Sequence, residues 1–338
     1  MIIFRPIFYL IVIPTTLSFP FIAFTPIVAA AFFGFYDKFQ DVICMIGECC
    51  RDAQKLNLTF IKNELENHVF GQNIAIQAIL THVKAHTADK NPKRPLVLSL
   101  HGPTGTGKNH ISTILVKSLY KLGMMSSYVK KYDATIDFVN LDKISQNKES
   151  LQHDLKITLY QCPRCLFIFD EMDKIPSDLI DALVPFLGFS ESVHGVDTRK
   201  AIFLLLGNTG ASDIASYLHN FIENGGDRDM VSIKELNRIL LKSSYLSPGG
   251  FNHSDLIKKH LITASIPFLP LEKEHIKACI NAEARELNHV ISDVLIDEIL
   301  LELDWFPPDT QRFSINGCKH IFEIVRFHLQ LRKENDEL

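Results

Sequence analysis

The string Gly102-Pro103-Thr104-Gly105-Thr106-Gly107-Lys108-Asn109 has the residue types and spacing needed to hold a run of phosphates. Its glycines let backbone N–H groups approach an anion, and a helix starting behind them points its positive end at it. Lys108 would reach the β- and γ-phosphates, with Gly102, Thr104, Gly105, Thr106 and Gly107 forming the cradle. The last position departs from the usual pattern. A Ser or Thr hydroxyl normally ligates Mg2+ there, and Asn109 offers an amide oxygen instead. Nucleotide binding is expected to survive this change, with turnover slow or conditional. Further along, Phe167-Ile168-Phe169 runs into Asp170-Glu171. Asp170 would hold Mg2+ through water, and Glu171 would orient and deprotonate an attacking water. An acidic pair after a strand is also a common helix cap, but its place downstream of a phosphate loop favours the catalytic reading. Asn208 ends the next apolar run and is expected between the loop's strand and the acidic strand, within reach of the γ-phosphate or the water. Together these residues are expected to bind Mg-ATP or a close relative.

Elements of definite kinds must hold these groups. Leu96-Val97-Leu98-Ser99-Leu100 precedes the loop, and residues 111–122 follow it with apolar positions at helical spacing. Further strands are expected at 128–134, 166–169 and 202–206. Short continuous apolar strands alternating with helices indicate a parallel sheet covered on both faces, with the loops after its strands gathered on one edge. Residues 37–92 read as mostly helical, with 60–84 interrupted at Phe70-Gly71-Gln72, and 91–95 as a loop. Ile266-Pro267-Phe268-Leu269-Pro270-Leu271 breaks the chain. A helical stretch at 272–303, a linker through Pro307-Pro308 and a last helix from about Gly317 follow. The expected fold is α/β, with a small helical C-terminal domain. Its parts are an apolar start at 1–36, a large nucleotide-binding domain at 37–266 and a lid with tail at 267–338.

The chain has 338 residues, 46% apolar and 22% charged, and a formal net charge of −4, so no nucleic-acid partner is expected. From Pro6 to Tyr36 there are 31 residues without a charge, preceded by Arg5 and interrupted by Pro14, Pro20 and Pro26. This stretch reads as a signal peptide followed by an apolar segment that stays on the membrane, the alternative being one uncleaved anchor helix. The chain ends Asn335-Asp336-Glu337-Leu338, one residue from a retention signal of the endoplasmic reticulum. Seven cysteines (Cys44, Cys49, Cys50, Cys162, Cys165, Cys279 and Cys318) and sequons at Asn57 and Asn252 suit an oxidising lumen. Cys162-x-x-Cys165 has metal-ligand spacing, yet no Cys/His knuckle completes a zinc set, so disulfides are the favoured reading. The odd count leaves at least one thiol free or intermolecular.

A phosphate loop, an acidic pair, a polar residue at the next strand end and a helical lid together resemble the AAA+ ATPases. The loop ending in Asn109, Ile168-Phe169-Asp170-Glu171-Met172-Asp173-Lys174, Pro267-Phe268-Leu269-Pro270-Leu271 and Gly317-Cys318-Lys319 are similar to those of the torsins. These are Clp-type relatives in the lumen of the endoplasmic reticulum and nuclear envelope, and the resemblance runs over roughly residues 40–330. Cys165 and the tail are less typical of them. The resemblance implies that Lys319 contacts the phosphates from the lid. It also implies that Cys318 pairs with Cys279, making binding redox-sensitive, where a plain structural disulfide is the alternative. Clp-type unfoldases carry a finger arginine shortly before the lid, worth about 10³–10⁵ in rate in hydrolases that use one. The comparable stretch here is His260-Leu261-Ile262-Thr263, with Leu261 in the arginine's place. The implied partner is the luminal domain of a membrane-bound activator of the lamina-associated polypeptide type, which lends the missing arginine. A homo-oligomeric or mixed ring, peripheral membrane association and remodelling of proteins or membrane are implied as well. A scaffold gated by nucleotide, with hydrolysis incidental, is the alternative.

Overall fold

The computed structural model describes Cys44 and residues 48–138, 141–246 and 254–336. The apolar start at 1–36, the sequon at Asn252 and the last two residues of the tail lie outside the described residues. Residues Glu48–Leu338 form one compact unit. Helices α1 (Leu58–His68) and α2 (Asn73–Ala88) lead into β1 (Leu96–His101), which delivers the phosphate loop to α3 (Lys108–Leu119). Then come β2 (Val129–Asp133), α4 (Ile144–Gln161), β3 (Leu166–Asp170), β4 (Ile202–Gly207), α5 (Ala211–Glu223), α6 (Ile233–Leu246) and β5 (Ala264–Pro267). The C-terminal part holds α7 (Lys273–Glu286), α8 (Asp293–Leu301), a hairpin of β6 (Trp305–Phe306) and β7 (Phe313–Ser314), and α9 (Ile321–Asp336).

The five long strands form one sheet in the order β2-β3-β4-β1-β5, and every pairing is parallel. Strand alternation divides its side chains between two cores. Leu96, Leu98, Leu100, Ile168 and Leu204 face α1, α2 and α3, while Val97, Phe167, Phe169, Phe203 and Leu205 face α4 and the short helices around residues 177–187. Each such side chain contributes about 1.5–3 kcal/mol on burial, which is why the central strands read as unbroken apolar runs. A disulfide, Cys50–Cys162, ties the turn at Cys50–Asp52 to the end of α4.

Several expectations shift in detail. The loop helix begins at Lys108 rather than at Ile111, because its first turn is polar and faces the loop. It ends at Leu119, where Tyr120 turns extended and Gly123 adopts a left-handed φ of 54°. Ile266-Pro267 does not merely break the chain, since it completes β5 on the open edge of β1. Proline is tolerated as the last residue of an outer strand, where no neighbour asks for its N–H. The helical stretch expected over 272–303 holds two helices, parted where Asn288 is left-handed and Ser292 caps α8. The linker after it carries the β6–β7 hairpin. The last helix starts at Ile321 rather than near Gly317, whose φ of 53° makes a turn instead. The C-terminal part has its own core, built on Leu271, Ile276, Ile280, Leu295, Ile299 and Val325.

Candidate nucleotide site

The loop between β1 and α3 is shaped by its glycines. Gly105 and Gly107 have φ values of 71° and 100°, a region closed to most side chains. Space is closed as well. A Cβ on Gly105 would lie 1.9 Å from Asn316 O, and one on Gly102 would lie 2.4 Å from Phe268 O. Thr106 braces the loop by donating from its hydroxyl to Pro103 O at 2.8 Å. The result is a concave strip of backbone in front of the positive end of α3, which is the cradle a triphosphate requires.

Lys108 lies across this strip. Its ammonium donates to Gly102 O at 2.6 Å, Pro103 O at 2.7 Å and Asn208 Oδ1 at 3.1 Å. Burial draws its pKa down to about 8, against the opposing pull of Asp173 and Asp170. Behind the loop, burial and the Lys108 charge hold His101 neutral, with a pKa near 4. Its Nε2 sits 2.7 Å from Ser99 Oγ.

Asp170, the last residue of β3, is 7% exposed. One of its oxygens accepts the Glu171 N–H at 3.0 Å, and the other lies 2.9 Å from Lys131 Nζ. Glu171 has a left-handed φ of 55° and an ion pair with Lys174. Such a backbone conformation in a non-glycine residue recurs at functional sites. Because β4 runs between β3 and β1, Asn208 stands between the acidic pair and the loop, as its sequence position suggested. Its N–H donates to Asp173 Oδ1 at 2.8 Å.

The C-terminal part borders the other side. Cys318 N–H donates to Gly105 O at 3.0 Å, and a Cβ on Gly317 would lie 2.4 Å from that same oxygen. The Gly-Cys-Lys turn therefore rests directly on the phosphate loop, with Lys319 on the wall of the cavity. Cys318 is joined to Cys279 of α7 by a disulfide. The cavity between these parts measures about 440 Å³, a size suited to a small ligand such as a nucleotide.

Thr104, Gly105, Thr106, Gly107, Lys108, Asn109, Asp170, Glu171, Asn208, Cys279, Cys318 and Lys319 all border that cavity. Gly102 is set behind the loop as an acceptor for Lys108. The far end of the cavity was missed from sequence: His68, Val69, Phe70 and His110 on one side, Ala282, Glu283 and Glu286 of α7 on the other. The signal lay in the helical spacing of Cys279, Ala282, Glu283 and Glu286. Burial and the neighbouring Glu286 raise the pKa of Glu283, and burial and His68 lower that of His110. Asp173, Lys131 and Lys174 were also missed, since no spacing rule pairs them with the loop. Leu261 is 6% exposed and packs under the sheet. The side chain that the resemblance sets in the finger's place thus belongs to the core.

Among the described residues no group of three His, Cys, Asp or Glu side chains could hold a metal. A metal held mainly by phosphate oxygens needs no such group, because one or two protein ligands suffice for Mg2+. Asn109 and Asp170 at the cavity wall fit that donor set. No helix among the described residues is long and apolar enough to cross a membrane. Cys165 is free and buried, and burial pushes its thiol far above the ordinary range, so it is inert.

Two family models match the chain: Torsin over residues 44–169, and Torsin-1A, C-terminal domain over residues 271–328. A torsin-like protein of Caenorhabditis elegans is 36% identical over 297 residues, covering 87% of this chain and 83% of that protein. A torsin-like protein of Drosophila melanogaster is 36% identical over 298 residues, covering 86% and 87%. Among solved structures, the S. cerevisiae Hsp104-ADP complex superposes with a TM-score of 0.57 at 16% identity. That match covers 83% of this chain, which spans about half (49%) of the Hsp104 chain, and at such identity it speaks for the fold.

Proposed function

The chain belongs to the torsin family of AAA+ ATPases, and from that membership and the cavity we propose that it binds Mg-ATP and hydrolyses it only with a membrane-bound activator. One observation carries the reading. The phosphate loop, the acidic pair, Asn208 and the Gly-Cys-Lys turn of the lid converge on one cavity, with the turn hydrogen-bonded to the loop. In this reading residues 267–338 act as the lid. The loop's N–H groups and Lys108 bind the phosphates, and Lys319 adds a cation from above. Asp170 and Asn109 hold Mg2+, which screens phosphate charge when bound. Glu171 takes the proton of the attacking water, and Asn208 orients that water.

What supports dependence on an activator is the state of the local charges. Leu261 is buried, Lys131 is engaged with Asp170 and Lys174 with Glu171. A cation lent by the luminal domain of a lamina-associated-polypeptide-type partner completes the site, within a homo-oligomeric or mixed ring. The disulfides Cys50–Cys162 and Cys279–Cys318 support residence in the lumen of the endoplasmic reticulum and nuclear envelope. Peripheral association with its membrane, and remodelling of proteins or membrane there, complete the proposal. The test is ATP hydrolysis by the purified chain with and without such an activator domain. Little turnover alone and clear stimulation are expected, and robust hydrolysis by the chain alone would refute the dependence.

A nucleotide-gated scaffold is the second reading, favoured by the ion pair that occupies Glu171 and by Asn109. If Lys108→Ala abolishes function in cells while Glu171→Gln preserves it, binding rather than hydrolysis is what matters.

A further inference from the structure

Arg228 lies outside the cavity, in the turn between α5 and α6, and is only 9% exposed. Its guanidinium fastens two other backbone segments to its own turn. Nη1 donates to Pro270 O at 2.7 Å and to Glu272 Oε1 at 3.2 Å, and Nη2 donates to Gly71 O at 2.8 Å. Beside it Gln72, buried, donates to Leu269 O at 2.8 Å and accepts the Leu269 N–H at 2.9 Å. The strand-to-lid segment 269–272 is thus fastened to the 71–72 turn by two side chains that never reach the cavity.

Each fastened segment continues into one wall of the cavity's far end. Val69 and Phe70 directly precede Gly71, and Glu272 caps α7, which carries Ala282 and Glu283. The two walls also meet where α7 begins, for a Cβ on Gly71 would lie 2.5 Å from His275 Cδ2. The phosphate end of the cavity is held by other means, namely the loop itself and the bond from Cys318 to Gly105.

We infer that Arg228, with Gln72, is a positioning residue for the nucleoside: it sets the gap between the 69–70 segment and α7 into which base and ribose must fit. The planar fork explains why arginine stands here. One guanidinium reaches carbonyls on both segments and a carboxylate at once, which a lysine ammonium cannot do with the same geometry. A buried cation stripped of these partners would be strongly unfavourable, so the three segments keep their spacing as long as Arg228 is in place.

This inference rests on the nucleotide reading of the cavity, and its test separates the two. Affinity of the full chain for Mg-ATP and for inorganic tripolyphosphate is measured by competition with a fluorescent ATP analogue, in wild type, Arg228→Met, Arg228→Lys and Gln72→Leu. Loss of charge-assisted hydrogen bonds from the clamp should weaken ATP binding on the order of tenfold. Tripolyphosphate, which needs only the loop end, should bind each variant as it binds wild type. Arg228→Lys, which keeps the charge but not the fork, should fall with Arg228→Met and carries the test if the latter does not fold. Equal losses for ATP and tripolyphosphate, or wild-type ATP affinity in all variants, overturn the inference. Failure of the wild-type chain to bind ATP overturns instead the nucleotide reading beneath it.

Discussion

Replacing Cys279 by serine should loosen the grip on ATP, because Cys279 is tied to the phosphate loop through Cys318. The disulfide from Cys279 to Cys318 closes a segment with a sequence separation of 39. In the chain-entropy picture such a closure stabilises the folded lid by about 4 kcal/mol. Only part of that reaches the nucleotide. What connects the disulfide to the loop is the hydrogen bond from Cys318 N–H to Gly105 O, worth about 0.5–1.5 kcal/mol, or roughly two- to twelvefold in affinity. Binding of a fluorescent ATP analogue, titrated under oxidising conditions, should therefore be severalfold to tenfold weaker in Cys279→Ser than in wild type. Dithiothreitol should bring wild type to the variant's affinity and leave the variant where it was. The second half matters because reductant also opens Cys50–Cys162, which lies at the end of α4. If reduction weakens wild type and Cys279→Ser equally, or if the variant binds as tightly as oxidised wild type, the link from disulfide to loop is wrong.

Three further outcomes can be checked. Cys162→Ala removes a crosslink of sequence separation 112 and should lower unfolding stability by about 5 kcal/mol, read as an earlier denaturant midpoint, while a loss below about 1 kcal/mol would contradict the assignment. His101 and His275 each have a folded pKa near 4, lowered from 6.5 chiefly by burial. The unfolded chain therefore binds more protons between these values, and stability should fall as pH drops from 6.5 toward 4, by up to about 1.4 kcal/mol per pH unit for each group. A His101→Gln variant with the same acid slope as wild type would deny His101 its share. Lys174→Met releases Glu171 from its ion pair and should raise unassisted turnover, an effect that vanishes when Glu171→Gln is added.

The cavity shows how far spacing alone carries. The glycines, Lys108 and the Asp170-Glu171 pair were legible because each rests on a local pattern: a loop between strand and helix, and an acidic pair at a strand end. Asn208 was legible by one step more, since a parallel sheet gathers its strand ends on one edge. Arg228, Gln72 and Asp173 were not legible. Their partners lie far off in sequence, Gln72 to Leu269 by 197 positions and Arg228 to Gly71 by 157, and no periodicity encodes such a pairing. Strand β5 was hidden for a different reason, because a four-residue edge strand ending in proline looks like a chain breaker.

By itself the sequence determined the chemistry on offer and the local frame for it. Glycine spacing dictates a phosphate-shaped backbone, and unbroken apolar runs dictate a buried parallel sheet, because both follow from sterics and burial within a few residues. Tertiary structure alone decided which groups meet. It put β4 between β1 and β3, so that Asn208 stands over Lys108, and laid the Gly-Cys-Lys turn on Gly105. It also buried Leu261 in the core and tied the 71–72 turn to the segment before α7 through a guanidinium that never enters the cavity. Those outcomes depend on how two separately packed cores dock against each other, and docking is set by long-range burial and hydrogen bonding that no local pattern carries.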